Sequence, residues 1–115
     1  MSGATSRRKG ATYDREVRRW LEDHRFTTNK GSVGLAVADV TIEEHPNLCI
    51  EVKNQAKQDL AGWVDQAVRQ AAEASTLMST KIGVVVHKRR GFTSVGNHYV
   101  TMRADDFIRL LKERE

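Results

Sequence analysis

The sequence predicts a mixed α/β fold, with helices packed on a central sheet. Three observations carry that expectation. Residues 48–54, LCIEVKN, alternate apolar and polar side chains as a two-faced strand does. Residues 12–24 and 60–78 instead repeat their apolar side chains at helical spacing. Residues 81–87, KIGVVVH, form a short apolar run of the kind buried in a sheet centre. Together with the segments between them, these give the order α-β-β-α-β-β-α.

Taken along the chain, residues 1–10 read as a flexible basic tail and residues 11–115 as one domain. Over 12–24, Tyr13, Val17, Trp20, Leu21 and His24 share a helical face, and Thr12 is placed to cap its start. Residues 26–34, FTTNKGSVG, have turn composition. Residues 35–42 read as a strand that returns through the loop EEHPN into 48–53. A five-residue loop there pairs Ile42 with Leu48, Val40 with Ile50 and Asp39 with Glu51. In the second helix Leu60, Trp63, Val64, Ala67, Val68, Ala71 and Ala74 form the apolar face. Residues 88–97 make a basic, glycine-containing loop and 98–102 a further strand. Residues 104–113 close the chain as a helix, with Phe107, Ile108 and Leu111 turned inward.

The bulk numbers exclude several classes. At 115 residues the chain is long enough for a single core. No apolar run approaches the roughly 20 residues of a membrane span. No apolar stretch follows the basic N-terminal residues, so a secretory signal is not expected. Cys49 is the only cysteine, which excludes an intrachain disulfide or a cysteine zinc cluster and suits a cytoplasmic setting in a bacterial, archaeal or phage-infected cell. No phosphate-binding G-x-x-x-x-G-K-[ST] loop is present, so no nucleotide cofactor is expected. The four histidines, at 24, 45, 87 and 98, are dispersed. The net charge of +4 is modest, but Arg7–Lys9 and Lys88–Arg90 are clusters. Such clusters suit a phosphate backbone, or are simply solvated.

Chemistry concentrates on one strand face. If Leu48, Ile50 and Val52 face a core, Glu51 and Lys53 share the opposite face, roughly 7 Å apart. The hairpin register adds Asp39 beside Glu51. Opposed like charges are unfavourable on a sheet, so structure alone gives no reason to pair them. A divalent cation would resolve the conflict, with Asp39, Glu51 and the Val52 backbone carbonyl as oxygen ligands. Lysine beside such an ion fits metal-assisted phosphodiester hydrolysis, in which the ion acidifies water and the ammonium group orients it or offsets developing charge. The competing reading is a solvated strand face on which Lys53 pairs with Glu51.

The run RRKGATYDREVRRWLEDHRF, a K-G-S-x-G loop, Asp39 and then LCIEVKN resembles the archaeal-type Holliday junction resolvases of the PD-(D/E)XK nuclease superfamily, and small phage and actinobacterial nucleases of similar layout. The likeness covers residues 8–87 well and the rest loosely. It implies a restriction-endonuclease-like core, with Asp39 and Glu51 as metal-binding acids and Lys53 as the catalytic lysine. A family glutamate on the first helix falls at Asp14, one methylene shorter, and Glu16 is its possible substitute. Asp14 is equally well read as a first-turn acid favoured by the helix dipole. The family's proline before the aspartate is Ala38 here. Gln66 matches a glutamine that some superfamily members hold near the metal, or is a flank residue, and Gln70 lies one turn beyond. Lys30, Gly31, Ser32 and Gly34 match a DNA-contacting loop. The DNA-contacting set expected from these features is Arg8, Lys9, Arg15, Lys30, Ser32, Lys88, Arg89 and Arg90.

The implied activity is Mg²⁺- or Mn²⁺-dependent cleavage of branched DNA by a homodimer whose two sites cut two strands. Three alternatives stay open: a restriction-like or phage nuclease acting on linear or single-stranded DNA, an inactive DNA-binding module on a nuclease scaffold, and a small α/β interaction protein that binds no nucleic acid.

Overall fold

The structure, a computed structural model, describes residues 3–31, 38–76 and 80–113, and side chains from Lys9 onward. Five strands form one mixed sheet in the order β1 (Thr28–Lys30), β2 (Val40–Ile42), β3 (His45–Lys53), β4 (Ile82–His87) and β5 (Tyr99–Thr101). Among the described residues three α-helices accompany it: α1 (Gly3–Asp23), α2 (Leu60–Ala74) and α3 (Ala104–Lys112). All neighbouring strands run antiparallel except β3 and β4, which are parallel in the register Leu48↔Ile82 to Lys53↔His87. A parallel pair needs a long crossover, and α2 supplies it. Among the described residues no helix is long and apolar enough to cross a membrane.

The two faces of the sheet bury different side chains. Ile50, Val52, Val84 and Val86 pack with Tyr13, Val17 and Leu21 of α1, and Leu48 and Trp20 lean on that cluster. On the other face Trp63 and Ala67 of α2 meet Val85, and Ala71 meets Ala38 and Cys49. All six residues of β4 are buried, as its unbroken apolar run predicts for a strand covered on both sides. α2 sits close to the sheet because position 83 is glycine: a Cβ there would run into the Ala67 backbone carbonyl. Asp59 caps α2 by accepting from the Gly62 N–H at 3.1 Å. At the other end Ser75 Oγ donates to the Ala71 carbonyl at 2.8 Å, so the helix stops before residue 78.

Several boundaries differ from the sequence reading. α1 starts at Gly3 and continues through the segment set apart as a tail, so Thr12 lies inside the helix and caps nothing. Residues 4–9 contain no proline or glycine to stop it. An additional strand, β1, occupies the segment read as a turn. Its three residues are polar and at most half-buried, so no hydrophobic period marks it, but they pair with β2 from Thr28↔Ile42 to Lys30↔Val40. The hairpin turns earlier than expected, at Glu43 and Glu44. Val40 pairs with Ile50 as the arithmetic required, while Ile42 pairs with His45 and not Leu48 across an irregularity after Thr41. Thr27 drives this: its N–H and hydroxyl both donate to the Glu44 carboxylate at 2.8 Å, which also holds that carboxylate below its usual range. The strand expected over 35–42 is described only from its Val40–Ile42 portion, and residues 32–37 lie outside the described residues.

The largest correction concerns α3. Phe107, Ile108 and Leu111 are each close to half exposed, and the buried residue of the helix is Asp106. Arg109 bonds Asp106 at 2.9 Å and reaches the Thr80 carbonyl at 3.3 Å. The apolar stripe exists as predicted, but among the described residues it is left about half exposed.

Candidate functional site

The hairpin register brings Asp39 and Glu51 together. The ladder ends at Val40↔Ile50, and one residue beyond it Asp39 meets the Glu51 side chain on the face that α2 covers. Asp39 Oδ2 accepts from the Val52 N–H at 2.9 Å, which ties its carboxylate to β3. Its main-chain carbonyl accepts from the Gly31 N–H at 3.0 Å. Glycine is required at 31, because a Cβ would collide with the Ala38 carbonyl. The Lys30–Gly31 segment therefore anchors the backbone that carries Asp39.

Glu51 is 3% exposed and bonds to Asp39 through its side chain. Burial, then the Asp39 charge and that hydrogen bond, push its carboxyl up to about 8, while Lys53 pulls weakly the other way. Such a shift means that the fold holds two acids together without adequate compensation. The charge of Lys53 acts on Glu51, but among the described residues Lys53 forms no ion pair with it. Its Nζ donates instead to Gln66 Oε1 on α2, at 2.8 Å. The reading in which Lys53 merely neutralises Glu51 thus lacks its contact. One turn along α2, Gln70 Oε1 is buried and makes no hydrogen bond within the described residues.

The donor set can be tested against a hard divalent cation. Two carboxylates and the Val52 carbonyl are all oxygen donors, as Mg²⁺ or Mn²⁺ prefers. A cation would also supply the positive charge that Asp39 and Glu51 lack. The set is lean: among the described residues no three Asp, Glu, His or Cys side chains cluster tightly enough to hold an ion by themselves. This suits an ion that keeps several waters and takes substrate oxygens, as Mg²⁺ characteristically does.

Neither Asp14 nor Glu16 joins the two acids. Asp14 is buried and accepts from Arg18 Nε at 2.9 Å. Glu16 lines a cleft with Lys9, Lys88 and Arg90 beyond the end of β3. Of the other expected DNA contacts, Arg15 and Lys30 are exposed. Arg89 turns away from Lys88 and Arg90 to stack on Phe92, 3.7 Å from the ring centroid. Ser32 and the Arg8 side chain lie outside the described residues.

One neighbour escaped the sequence reading. His87 stands beside Lys53 in the parallel register and is buried against the Trp63 ring, with centroids 5.5 Å apart. Its Nε2 shares a hydrogen with Thr101 Oγ1 at 2.8 Å, and burial, then the charge of His98, lowers its pKa, which favours the neutral imidazole. The signal was its place at the end of a strand parallel to β3, which is invisible until that pairing is known.

No family model matches the sequence, and no curated protein matches it.

Proposed function

We propose that the protein is a metal-dependent endonuclease that hydrolyses DNA phosphodiester bonds, with branched DNA as its preferred substrate and a nuclease core of the PD-(D/E)XK kind. One observation carries this reading: two carboxylates in contact on a covered sheet face, with a lysine two residues along held by Gln66 and not spent on either acid. A structural ion pair would use that lysine differently.

In this reading Asp39, Glu51 and the Val52 carbonyl hold Mg²⁺ or Mn²⁺. The bound ion supplies acidified water and charge stabilisation at the scissile phosphate. Lys53 Nζ, oriented by Gln66, faces the attacking water or the charge that develops on the phosphate. The Val52 N–H holds the Asp39 carboxylate against β3, where it would serve as one of the ligands. Basic residues on both sides, Lys30 on one and Lys9, Lys88 and Arg90 on the other, suit contacts to phosphates more than the reading of bases. A homodimer fits the half-exposed apolar surface of Val100, Phe107, Ile108 and Leu111, which lies on edge strand β5 and helix α3.

The test is cleavage of a labelled four-way junction beside linear duplex and single-stranded DNA, in Mg²⁺ and in EDTA. Junction cleavage that needs the metal and disappears in Glu51→Gln is the expected result. Purified, folded protein that cuts none of these with Mg²⁺ or Mn²⁺ refutes it. Cleavage of linear duplex as fast as the junction removes only the branched-DNA preference.

A further inference from the structure

Next to the acids, but separate from them, lies a cleft of about 550 Å³ between α1, the segment after β3 and the loop after β4. Lys9, Lys88 and Arg90 reach it from two different elements, and Glu16 is the carboxylate among its lining residues. Among the described residues none of the three cations has an ion-pair partner. Three cations face one carboxylate across this cavity, and Lys88 also lies over the Tyr13 ring at 5.8 Å, so the cleft keeps a net positive charge that an anion would offset. Local geometry gathers them there. Arg89 stacks on Phe92 and Tyr99, and Gly91 takes φ +88° in the turn that follows Arg90. The Lys88 N–H bonds the Lys53 carbonyl at 3.0 Å, which fixes the cleft's position relative to the lysine of the catalytic face.

The rest of the lining is not that of a bare phosphate site. Asn54 and Gln55 follow Lys53 directly and are among the residues that line the same cavity. A carboxamide offers a donor pair and an acceptor, which is the chemistry that base edges match. The volume lies in the range of small-ligand pockets and is far too small for a duplex. In a duplex the phosphates face outward while the pairing edges of the bases are already occupied. A cavity that offers cations and carboxamides together fits a nucleotide whose base is unpaired.

We infer that this cleft seats one unpaired nucleotide of the DNA strand, its phosphate on Lys9, Lys88 and Arg90 and its base edge on Asn54 and Gln55. The inference rests on the nuclease reading for its biological sense. It adds that the strand leaves the duplex beside the cut, as it does at a branch point or a flap. Glu16 then limits the cleft's appetite for anions in general, by setting one carboxylate against the three cations.

The experiment titrates the full chain in EDTA, without any cleavage, with the 5′-phosphorylated dinucleotide pdTpdT and separately with inorganic phosphate. Backbone amide shifts are followed by NMR. Saturable shifts at Asn54, Gln55 and Gly91 are expected, tighter for the dinucleotide than for phosphate. Lys88→Gln with Arg90→Gln should weaken dinucleotide binding about tenfold or more, the size expected for losing charge-assisted hydrogen bonds. Asn54→Ala with Gln55→Ala should erase the dinucleotide's advantage over phosphate. Arg69→Gln, a surface cation on α2 outside the cleft, should change nothing. Equal affinity for phosphate and dinucleotide overturns the inference, as do an equal effect of Arg69→Gln or shifts that avoid the cleft. Far-ultraviolet circular dichroism and thermal melting check that each variant is folded. Because the titration is metal-free, cleft binding in a protein that never cuts DNA rejects only the nuclease reading. Cutting without cleft binding rejects only this inference.

Discussion

Glu51→Gln tests whether the acid pair is a site waiting for a cation, because it leaves the shape of the side chain and removes its charge. In the folded chain the Glu51 carboxyl titrates near 8, against an ordinary value of 4.5, because it is buried against Asp39. Between those two values the folded state binds more protons than the unfolded state. Stability therefore falls as pH rises, by up to about 1.4 kcal/mol per pH unit. The contribution is complete below 4.5 and lost above about 8. The whole span corresponds to at most about 5 kcal/mol, and relaxation of the buried pair reduces it to roughly 2 kcal/mol. Urea unfolding in EDTA, at intervals from pH 4.5 to 8.5, should show the wild-type chain losing about that much relative to Glu51→Gln, with the variant the more stable at the alkaline end. Mg²⁺ should then restore the wild type at pH 8.5 and leave the variant unmoved, since a ligand stabilises only the state that binds it. Parallel stability curves for the two chains across this pH range would falsify the account of the pair.

Lys53→Met keeps the unbranched stem of the side chain and removes its ammonium group. DNA cleavage should fall by about 10²–10³-fold, the usual loss for one charge-stabilising donor, while DNA retention at low salt persists. Gly83→Ala should destabilise the fold by about 1–3 kcal/mol, read as a lower urea midpoint, because the new methyl meets the Ala67 carbonyl. Ile108→Glu, on a half-exposed position, should alter monomer stability by no more than about 0.5 kcal/mol. In sedimentation velocity it should shift a dimer toward monomer, and a native chain that sediments as a monomer at every concentration removes the dimer.

The elements visible in the sequence were those whose period records burial. The alternation over 48–53 located β3 and the register at Val40 and Ile50, and so set Asp39 beside Glu51. The helical spacing of Trp63, Ala67 and Ala71 located α2 and put Gln66 on the flank that reaches Lys53. What escaped depended on partners distant in sequence. β1 is polar and exists because β2 pairs with it. The turn at Glu43 and Glu44 is set by Thr27, some 17 residues earlier. The stripe on α3 was read correctly as apolar and wrongly as inward, since periodicity reports a face and says nothing of what covers it. His87 acquires its place beside Lys53 only through the parallel pairing of β3 with β4.

At Gly83 helix α2 rests on bare main chain, without a side chain as cushion. The helix thereby acts as a gauge block: the height of its seat decides where the Gln66 amide stands, and with it where the lysine's ammonium tip is aimed. Adding a single methyl group beneath the helix would lift that seat, so the aim of Lys53 is sensitive to a position on the neighbouring strand that it does not touch.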